Sequence, residues 1–144
     1  MATRSNIAIK NKNGGVDSIY CHWDGYLTHN GSILLNSYTD VDKIKKLISL
    51  GDISSLADNV EPSSGEHSFD KPQANVVVAY GRDRGEENTQ TLHWNSIEEY
   101  LHNVDDMWIE YVYIYDEQEQ KWFYIGGDAD SLTELTKDIT ERGY

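Results

Sequence analysis

The sequence predicts an α+β fold: a mainly antiparallel sheet with two hairpins, and helices packed on one face. Two pairs of alternating apolar segments, each joined by a short turn, predict the hairpins. Helix-capping residues precede three short amphipathic segments. The predicted strands and helices do not alternate regularly, as they would in a parallel sheet. At 144 residues, the chain fits one compact domain, residues 1–144.

The first predicted hairpin spans residues 4–23. Apolar and polar residues alternate in residues 4–10 and again in residues 16–23. Between them, residues 11–15 supply the Asn and Gly that tight turns require. Alternation on both sides of such a turn is typical of a β-hairpin.

Two short helices and a long loop are predicted next. Residues 32–38 form the first helix, and Asp40 can cap a second one over residues 41–48, where apolar residues recur at helical spacing. Gly51 suits the left-handed conformation that often ends a helix. Residues 61–74 hold both prolines and predict a long loop, which is a candidate site loop.

The second half begins with a continuous apolar segment at residues 75–80, which predicts a strand, followed by a charged loop at residues 81–85. Ser96 and Glu99 have the spacing of a capping box and predict a helix. Strict alternation followed by a turn predicts the second hairpin at residues 107–125.

A final helix is predicted at the C-terminus. Ser131 and Glu134 have the spacing of another capping box. The helix would run from about Leu132 and would place Leu132, Leu135 and Ile139 toward the core.

Negative charge is concentrated in the C-terminal part of the chain, from about residue 86. Residues 86–142 contain fifteen acidic and three basic side chains, whereas residues 1–84 contain ten and nine. A surface of this kind repels nucleic acids and anionic membranes and attracts basic proteins. A solvated surface that maintains solubility is an equally good interpretation.

The composition also bears on the class of protein. The single cysteine excludes an intrachain disulfide and a Cys-rich zinc site. The N-terminal segment lacks the apolar stretch of a signal peptide, and no apolar run reaches the ~18 residues of a membrane span. We therefore expect a soluble, cytoplasmic protein.

Six carboxylates on or beside the second hairpin are the candidate partner contacts. They would imitate the phosphates of a nucleic acid on the surface of a basic protein. The aromatic residues of this hairpin have acidic neighbours, which argues against direct binding of nucleic acid. The six are Glu110, Asp116, Glu117, Glu119, Asp128 and Asp130.

An alternative hypothesis gathers residues of the N-terminal part into a pocket for a nucleotide-like ligand. Two arginines would hold phosphate, a histidine would donate a proton or bond a base, and an aromatic ring would stack. The arginines can instead pair with acidic residues of their own loop, which is the favoured interpretation. The pocket set is Tyr20, His22, Trp23, Asp24, His67, Asp70, Arg82 and Arg84.

Cysteine-dependent catalysis is less expected than binding. Cys21 and His22 lie on opposite faces of a strand, so they cannot form a nucleophile–base pair with each other. A hydrolase would need His67 or His93 to reach Cys21, and a buried, inert cysteine is favoured. The histidines and carboxylates lack the spacing of a recognised metal motif. No catalytic residue, metal or cofactor is predicted.

Five segments carry distinctive motifs. They are Met-Ala-Thr-Arg-Ser at 1–5, Ile-Tyr-Cys-His-Trp-Asp-Gly-Tyr at 19–26, Leu-Ile-Ser-Leu-Gly-Asp-Ile-Ser-Ser-Leu at 47–56, His-Ser-Phe-Asp at 67–70 and Ala-Tyr-Gly-Arg-Asp-Arg-Gly-Glu at 79–86. Together they resemble a family of small, mostly uncharacterised bacteriophage and prophage proteins. The resemblance covers roughly the first ninety residues, although Leu27 stands where family members usually have Pro. It implies a mobile-element accessory gene and supplies no reaction or catalytic residue.

The resemblance and the acidic C-terminal part together predict a counter-defence protein, because small phage accessory proteins commonly act on host defence. The leading hypothesis is a non-enzymatic, anti-CRISPR-like or anti-restriction-like inhibitor that occupies the nucleic-acid-binding surface of a basic host protein. The alternative is binding or cleavage of a nucleotide-like defence signal in the pocket. A third hypothesis is a phage structural or housekeeping protein.

Overall fold

The computed structural model describes residues 3–63 and 65–142, except for the side chain of Asp106. The strands are β1 (Ser5–Lys10), β2 (Val16–Cys21), β3 (Ile53–Ser55), β4 (Val78–Ala79), β5 (Leu92–Trp94), β6 (Tyr111–Asp116), β7 (Lys121–Gly126) and β8 (Ala129–Glu134). The α-helices are α1 (Ser32–Ser37), α2 (Val41–Ser49), α3 (Tyr80–Arg84), α4 (Ile97–Val104) and α5 (Lys137–Arg142). A π-helical turn, Leu27–Gly31, precedes α1, and a 3-10 turn, Asp105–Met107, follows α4.

The eight strands of the described residues form one mixed sheet in the order β4-β3-β2-β1-β6-β7-β8, with β5 also paired to β2. The α+β fold is confirmed, and so are the two antiparallel hairpins, β1–β2 and β6–β7. Two pairings are parallel, β1 with β6 and β2 with β3. The parallel β1–β6 pairing joins the two hairpins into a single sheet, and the intervening chain forms the long crossover that parallel strands need.

The helices cover both faces of the sheet, so the prediction of helices on one face was wrong. Ile7 and Ile9 belong to a large core that includes side chains of α1, α2 and α5. Ala8 belongs to a smaller core that includes Tyr100 and Val104 of α4. Because successive strand residues point to opposite faces, the two cores lie on opposite sides of β1. Alternate residues of β6 also belong to the two cores, so this strand is buried on both faces.

Two fully buried tyrosines connect the sheet to its surroundings. The hydroxyl of Tyr100 donates to Oδ1 of Asn6 at 2.6 Å, which ties α4 to β1. The hydroxyl of Tyr113 donates to the carbonyl of Gly25 at 2.6 Å. Burial raises the pKa of both phenols well above the ordinary value. Each tyrosine therefore fills core volume and satisfies its polar atom at the same time.

The capping residues of α2 and α4 are confirmed. Asp40 accepts a hydrogen bond from the N–H of Asp42 at 3.1 Å. Ser96 accepts one from the N–H of Glu99 at 3.1 Å. Gly51, just beyond the end of α2, has φ of 78°, the left-handed conformation that glycine adopts without strain.

The C-terminal helix begins later than predicted, so the second capping box was wrong. Residues 131–134 belong to β8, which pairs antiparallel with β7. Leu132 is 37% exposed instead of packed inward. The helix α5 starts at Lys137, and Oγ1 of Thr136 accepts a hydrogen bond from the N–H of Ile139. Pairing with a neighbouring strand overrode a local helix signal here.

Three further segments differ from the prediction. The second hairpin starts at Tyr111 and not at residue 107, because a 3-10 turn and a left-handed Trp108 precede it. Of residues 75–80, only Val78 and Ala79 form a strand. The predicted loop at residues 81–85 is mostly the short helix α3. Among the residues described, no helix is long and apolar enough to cross a membrane.

Candidate functional site

Three of the six candidate carboxylates lie at the turn between β6 and β7, and the first of them shapes that turn. Asp116 accepts hydrogen bonds from the N–H groups of Gln118 and Glu119, at 3.0 and 3.2 Å. Its other oxygen lies 3.9 Å from Nζ of Lys10. Asp116 is thus engaged within the chain.

Glu117 is also engaged within the chain. One carboxylate oxygen lies 3.0 Å from Nζ of Lys45, and the other accepts a hydrogen bond from the N–H of Lys12 at 3.2 Å. The hydrogen bond from Lys45 outweighs partial burial and lowers the pKa of Glu117 below its ordinary value. The side chain is only 13% exposed. Of the three residues at this turn, only Glu119 is exposed.

The other three candidates, Glu110, Asp128 and Asp130, lie at the opposite ends of these strands. Glu110 immediately precedes β6, and Asp128 lies in the turn between β7 and β8. A six-residue strand such as β6 is roughly 17 Å long from first to last residue. The prediction of one acidic cluster on the hairpin is therefore corrected: the six residues form two separate groups.

An apolar groove lies beside the second group, between α4 and strands β6 to β8. We call it the α4 groove. It has a volume of about 430 Å³, and Asp105, Glu110 and Asp130 stand at its rim. Its apolar lining is Leu101, Val104, Ile109, Val112, Ile125 and Leu132. Sequence reasoning assigned these residues to the core or to strands and did not identify the groove.

The groove is open because α4 covers only part of its face of the sheet. The buried core under α4 draws its strand residues from β1, β2 and β6, namely Ala8, Val16, Val112 and Ile114. Ile125 of β7 packs only at the edge of this core. The outermost strand, β8, is half-buried at its first residue and exposed along the rest. Part of the apolar surface of β7 and β8 is consequently uncovered.

In the described part of the chain, the carboxylates around the groove have no basic side chain within ion-pair distance. Among the described side chains, neither Asp105, Glu110 nor Asp130 forms a salt bridge, whereas Asp116 and Glu117 do. Burial, followed by the charges of Glu110 and Asp128, raises the pKa of Tyr111. We define the acidic end as Asp105, Glu110, Asp128 and Asp130, all of which are exposed.

Trp108 directly precedes Ile109 of the groove lining and was not identified from the sequence as a site residue. Its side chain is 84% exposed, the highest value among the large hydrophobic residues described. Its backbone is left-handed, with φ of 59° and ψ of 38°. An aromatic side chain in this conformation stores backbone strain and, here, is held away from the core. Exposed tryptophan beside a groove is typical of protein-binding surfaces.

The alternative pocket is not assembled as the sequence suggested, because His67 is used internally. Its Nδ1 accepts a hydrogen bond from the N–H of Gln73 at 3.0 Å. Its Nε2 lies 3.2 Å from the carbonyl of Val77 and 3.2 Å from Oδ2 of Asp83. With Nδ1 accepting, the ring donates through Nε2–H. Both nitrogens are therefore occupied, and the side chain is 2% exposed.

Arg82 belongs to the same internal network. Its Nε donates to Oδ1 of Asp83 at 2.9 Å, and its terminal nitrogens donate to the carbonyls of Val60 and Val77 at 2.6 and 2.7 Å. Burial would raise the pKa of Asp83, but the hydrogen bonds from Arg82 and Ala79 hold it below its ordinary value. Arg82 of α3 thus binds the chain on both sides of the 61–74 loop, at Val60 and Val77, and its donors are used within the fold.

The remaining pocket residues are divided among other contacts. Arg84 lies 4.8 Å from the ring centroid of Phe69 and, with Asp70, lines a separate open pocket of about 380 Å³. The hydroxyl of Tyr20 lies 2.7 Å from Nδ1 of His22. The ring of His22 in turn packs edge-on against Trp23, 4.7 Å between centroids.

Asp24 lies in the turn after β2, with φ of 56°, and does not join a common cavity with the arginines. Cys21 is fully buried, as favoured from the sequence, and burial raises the pKa of its thiol to about 11. His67 contacts Asp83, and His93 lies 2.6 Å from Asp17, so neither is paired with the thiol. Across the described part of the chain, no three His, Cys, Asp or Glu side chains cluster as metal ligands would.

The fold and the site together define an α+β protein with an open apolar groove that carboxylates border. No protein-family model matches the sequence, and comparisons with curated proteins and with solved structures return no match.

Proposed function

We propose that this protein is a non-enzymatic inhibitor, encoded by a mobile genetic element, that binds a basic nucleic-acid-binding protein of bacterial host defence in the cytoplasm. Its acidic end would occupy the surface that the target otherwise uses for nucleic acid. The observation that carries the proposal is the set of four exposed carboxylates at the acidic end, without a basic partner among the described residues.

Electrostatics supports a basic protein as the partner. Exposed carboxylates of one sign attract cationic surfaces and accelerate association, and they repel nucleic acid. The full chain carries a formal net charge of −13, so weak long-range attraction would add to the local contacts. A target that holds DNA or RNA presents the lysines and arginines that these carboxylates can bind.

The chemistry of the candidate residues gives less support to an enzyme. The thiol of Cys21 is buried and its pKa is raised, so it is a poor nucleophile. His67 and Arg82, which the alternative hypothesis placed around a nucleotide, are committed to Asp83 and to backbone carbonyls. Of the other pocket residues, Arg84 and Asp70 line one pocket, and His22 contacts Tyr20 and Trp23.

Phage plating on bacteria that carry defined CRISPR or restriction systems tests the proposal. We expect the wild-type protein to restore plating against at least one system whose effector binds nucleic acid. A variant with Asp105→Asn, Glu110→Gln, Asp128→Asn and Asp130→Asn should reduce this protection by about tenfold or more. Binding of the wild-type protein to the purified effector should weaken steeply as the salt concentration rises.

A control variant removes the same number of charges elsewhere. The substitutions Asp42→Asn, Glu61→Gln, Glu66→Gln and Glu87→Gln all affect exposed carboxylates outside the acidic end. This control should protect as well as the wild type. Equal protection by the two variants, or an absence of protection against every system, would contradict the proposal.

A further inference from the structure

The uncovered part of the sheet beside α4 has the width of one helix. Neighbouring strands are about 4.8 Å apart, so β7 and β8 present a strip about 10 Å wide. A helix with its side chains is about 10–12 Å across, and packed helices lie about 8–10 Å apart. One additional helix beside α4 would therefore complete this layer of the fold.

We propose that the α4 groove receives one amphipathic, basic helix of the partner protein. The apolar face of that helix would pack against Ile125 and Leu132, while lysines or arginines on its flanks would reach Asp105, Glu110 and Asp130. This inference deepens the proposed function and rests on its premise that the partner is a basic protein. Sheets in folded proteins are commonly covered by helices whose apolar stripe faces the strands.

Charge complementarity determines the kind of helix. Asp105, Glu110 and Asp130 make the rim of the groove acidic, and its lining among the described residues includes no lysine or arginine. A second copy of this chain would bring another net charge of −13 against the same rim, so repulsion disfavours it as the occupant. A helix with basic flanks satisfies both the apolar lining and the carboxylates.

Trp108 would supply an aromatic anchor for this helix, from the position that directly precedes the groove lining. It directly precedes Ile109, which belongs to the lining, and its side chain is 84% exposed. Large aromatic residues contribute disproportionately to binding energy when a partner buries them. The left-handed backbone holds the indole outside the core, where a bound helix can cover it.

Selection from a displayed library of 18-residue helical peptides tests the inference. The library varies the apolar positions and places Lys, Glu or Gln at the flanking positions. We expect the selected peptides to have apolar residues at i, i+3, i+4 and i+7 with basic flanks. Their amide chemical-shift changes on the full chain should concentrate in α4, β7 and β8.

Matched variants locate the binding surface. Trp108→Ala and Leu132→Gln should each weaken binding of the selected peptides at least about tenfold, as measured by fluorescence anisotropy. The controls Trp23→Ala and Leu92→Gln change residues that are 45% and 49% exposed and lie outside the groove, so their affinity should remain unchanged. Circular dichroism checks that all four variants are folded.

The outcomes separate this inference from the proposed function. Selection of acidic or uncharged peptides, or equal effects of the test and control variants, would overturn the groove as a site for a basic helix. If basic helices bind the groove but the protein protects no phage, the groove inference stands and the proposed function fails. If protection depends on the acidic end while no helix binds the groove, the proposed function stands and the groove inference fails.

Discussion

Nε2 of His67 lies 3.2 Å from Oδ2 of Asp83, and the two side chains are only 2% and 4% exposed. Asp83 also accepts hydrogen bonds from Arg82 and from the N–H of Ala79, at 2.9 and 2.8 Å. These contacts connect the 61–74 loop, β4 and α3. Residues that suggest a ligand site in the sequence therefore hold the fold together.

Asp83→Asn should lower the free energy of unfolding by about 3 kcal/mol, because it removes the charge of a nearly buried carboxylate that pairs with Arg82 and accepts several hydrogen bonds. Urea denaturation at pH 7 measures the change. Asp70→Asn, at an exposed position of the same region, should change stability by less than about 0.5 kcal/mol. Equal effects of the two substitutions would show that the network is not stabilising.

The effect of Asp83 should depend on pH. The folded state holds the pKa of Asp83 below its ordinary value, so the unfolded state binds the proton more readily. The contribution of Asp83 is fully present above the unfolded-state pKa of about 4 and is lost as the pH falls through the lower, folded-state pKa. The stability difference between the wild type and Asp83→Asn should therefore narrow below about pH 4, and a constant difference down to pH 2 would contradict this assignment.

Cys21 should be unreactive in the folded protein. Burial raises its pKa to about 11, even though Asn30 and Ser5 contribute hydrogen bonds in the opposite direction. A thiol reagent at pH 8 should label the chain in denaturant and should label the native chain at least about a hundredfold more slowly, since the thiolate is the reactive form.

The raised pKa of Cys21 should also affect the stability of the protein at alkaline pH. The unfolded thiol loses its proton near pH 8.5, whereas the folded one keeps it up to about 11. The stability from Cys21 is present below the unfolded pKa and is lost as the pH rises toward the folded one. Between pH 8.5 and 11, the free energy of unfolding should therefore fall less for Cys21→Ser than for the wild type. The same dependence on pH in both proteins would contradict this prediction.

Glu117→Gln should affect stability more than binding. The substitution removes a 3.0 Å ion pair with Lys45 and should cost about 1 kcal/mol. Glu119→Gln, at the exposed end of the same turn, should cost less than about 0.5 kcal/mol. Neither substitution should reduce phage protection, because this turn lies away from the acidic end. A loss of protection in either variant would show that the partner contacts the hairpin turn.

Trp108→Gly should stabilise the protein and weaken partner binding. Relief of the left-handed strain should raise the free energy of unfolding by about 1 kcal/mol, since the exposed indole contributes little packing. Gln120, with φ of 58° in the β6–β7 turn, offers a control. Gln120→Gly should give a similar gain in stability without loss of peptide binding. Destabilisation by Trp108→Gly would mean that the indole packs against the fold.

Local chemistry in the sequence determined the first hairpin, the capped starts of α2 and α4, and the left-handed end at Gly51. These features depend on residues within a few positions of one another, such as Asp40 with Asp42 and Ser96 with Glu99. The concentration of acidic residues after residue 86 is likewise a property of the sequence alone. The α+β class followed from the order of these elements.

Only the tertiary structure decided which of these residues act together. Ser131 to Glu134 carry a helix-capping pattern, yet hydrogen bonding to β7 makes them a strand. The six acidic candidates are close in sequence, but the length of β6 and β7 places them in two groups, at opposite ends of these strands. His67 and Asp83 are sixteen positions apart and meet only because the loop folds back on α3. The α4 groove exists because one helix covers part of a sheet face, and coverage of a face depends on long-range packing that no local pattern encodes.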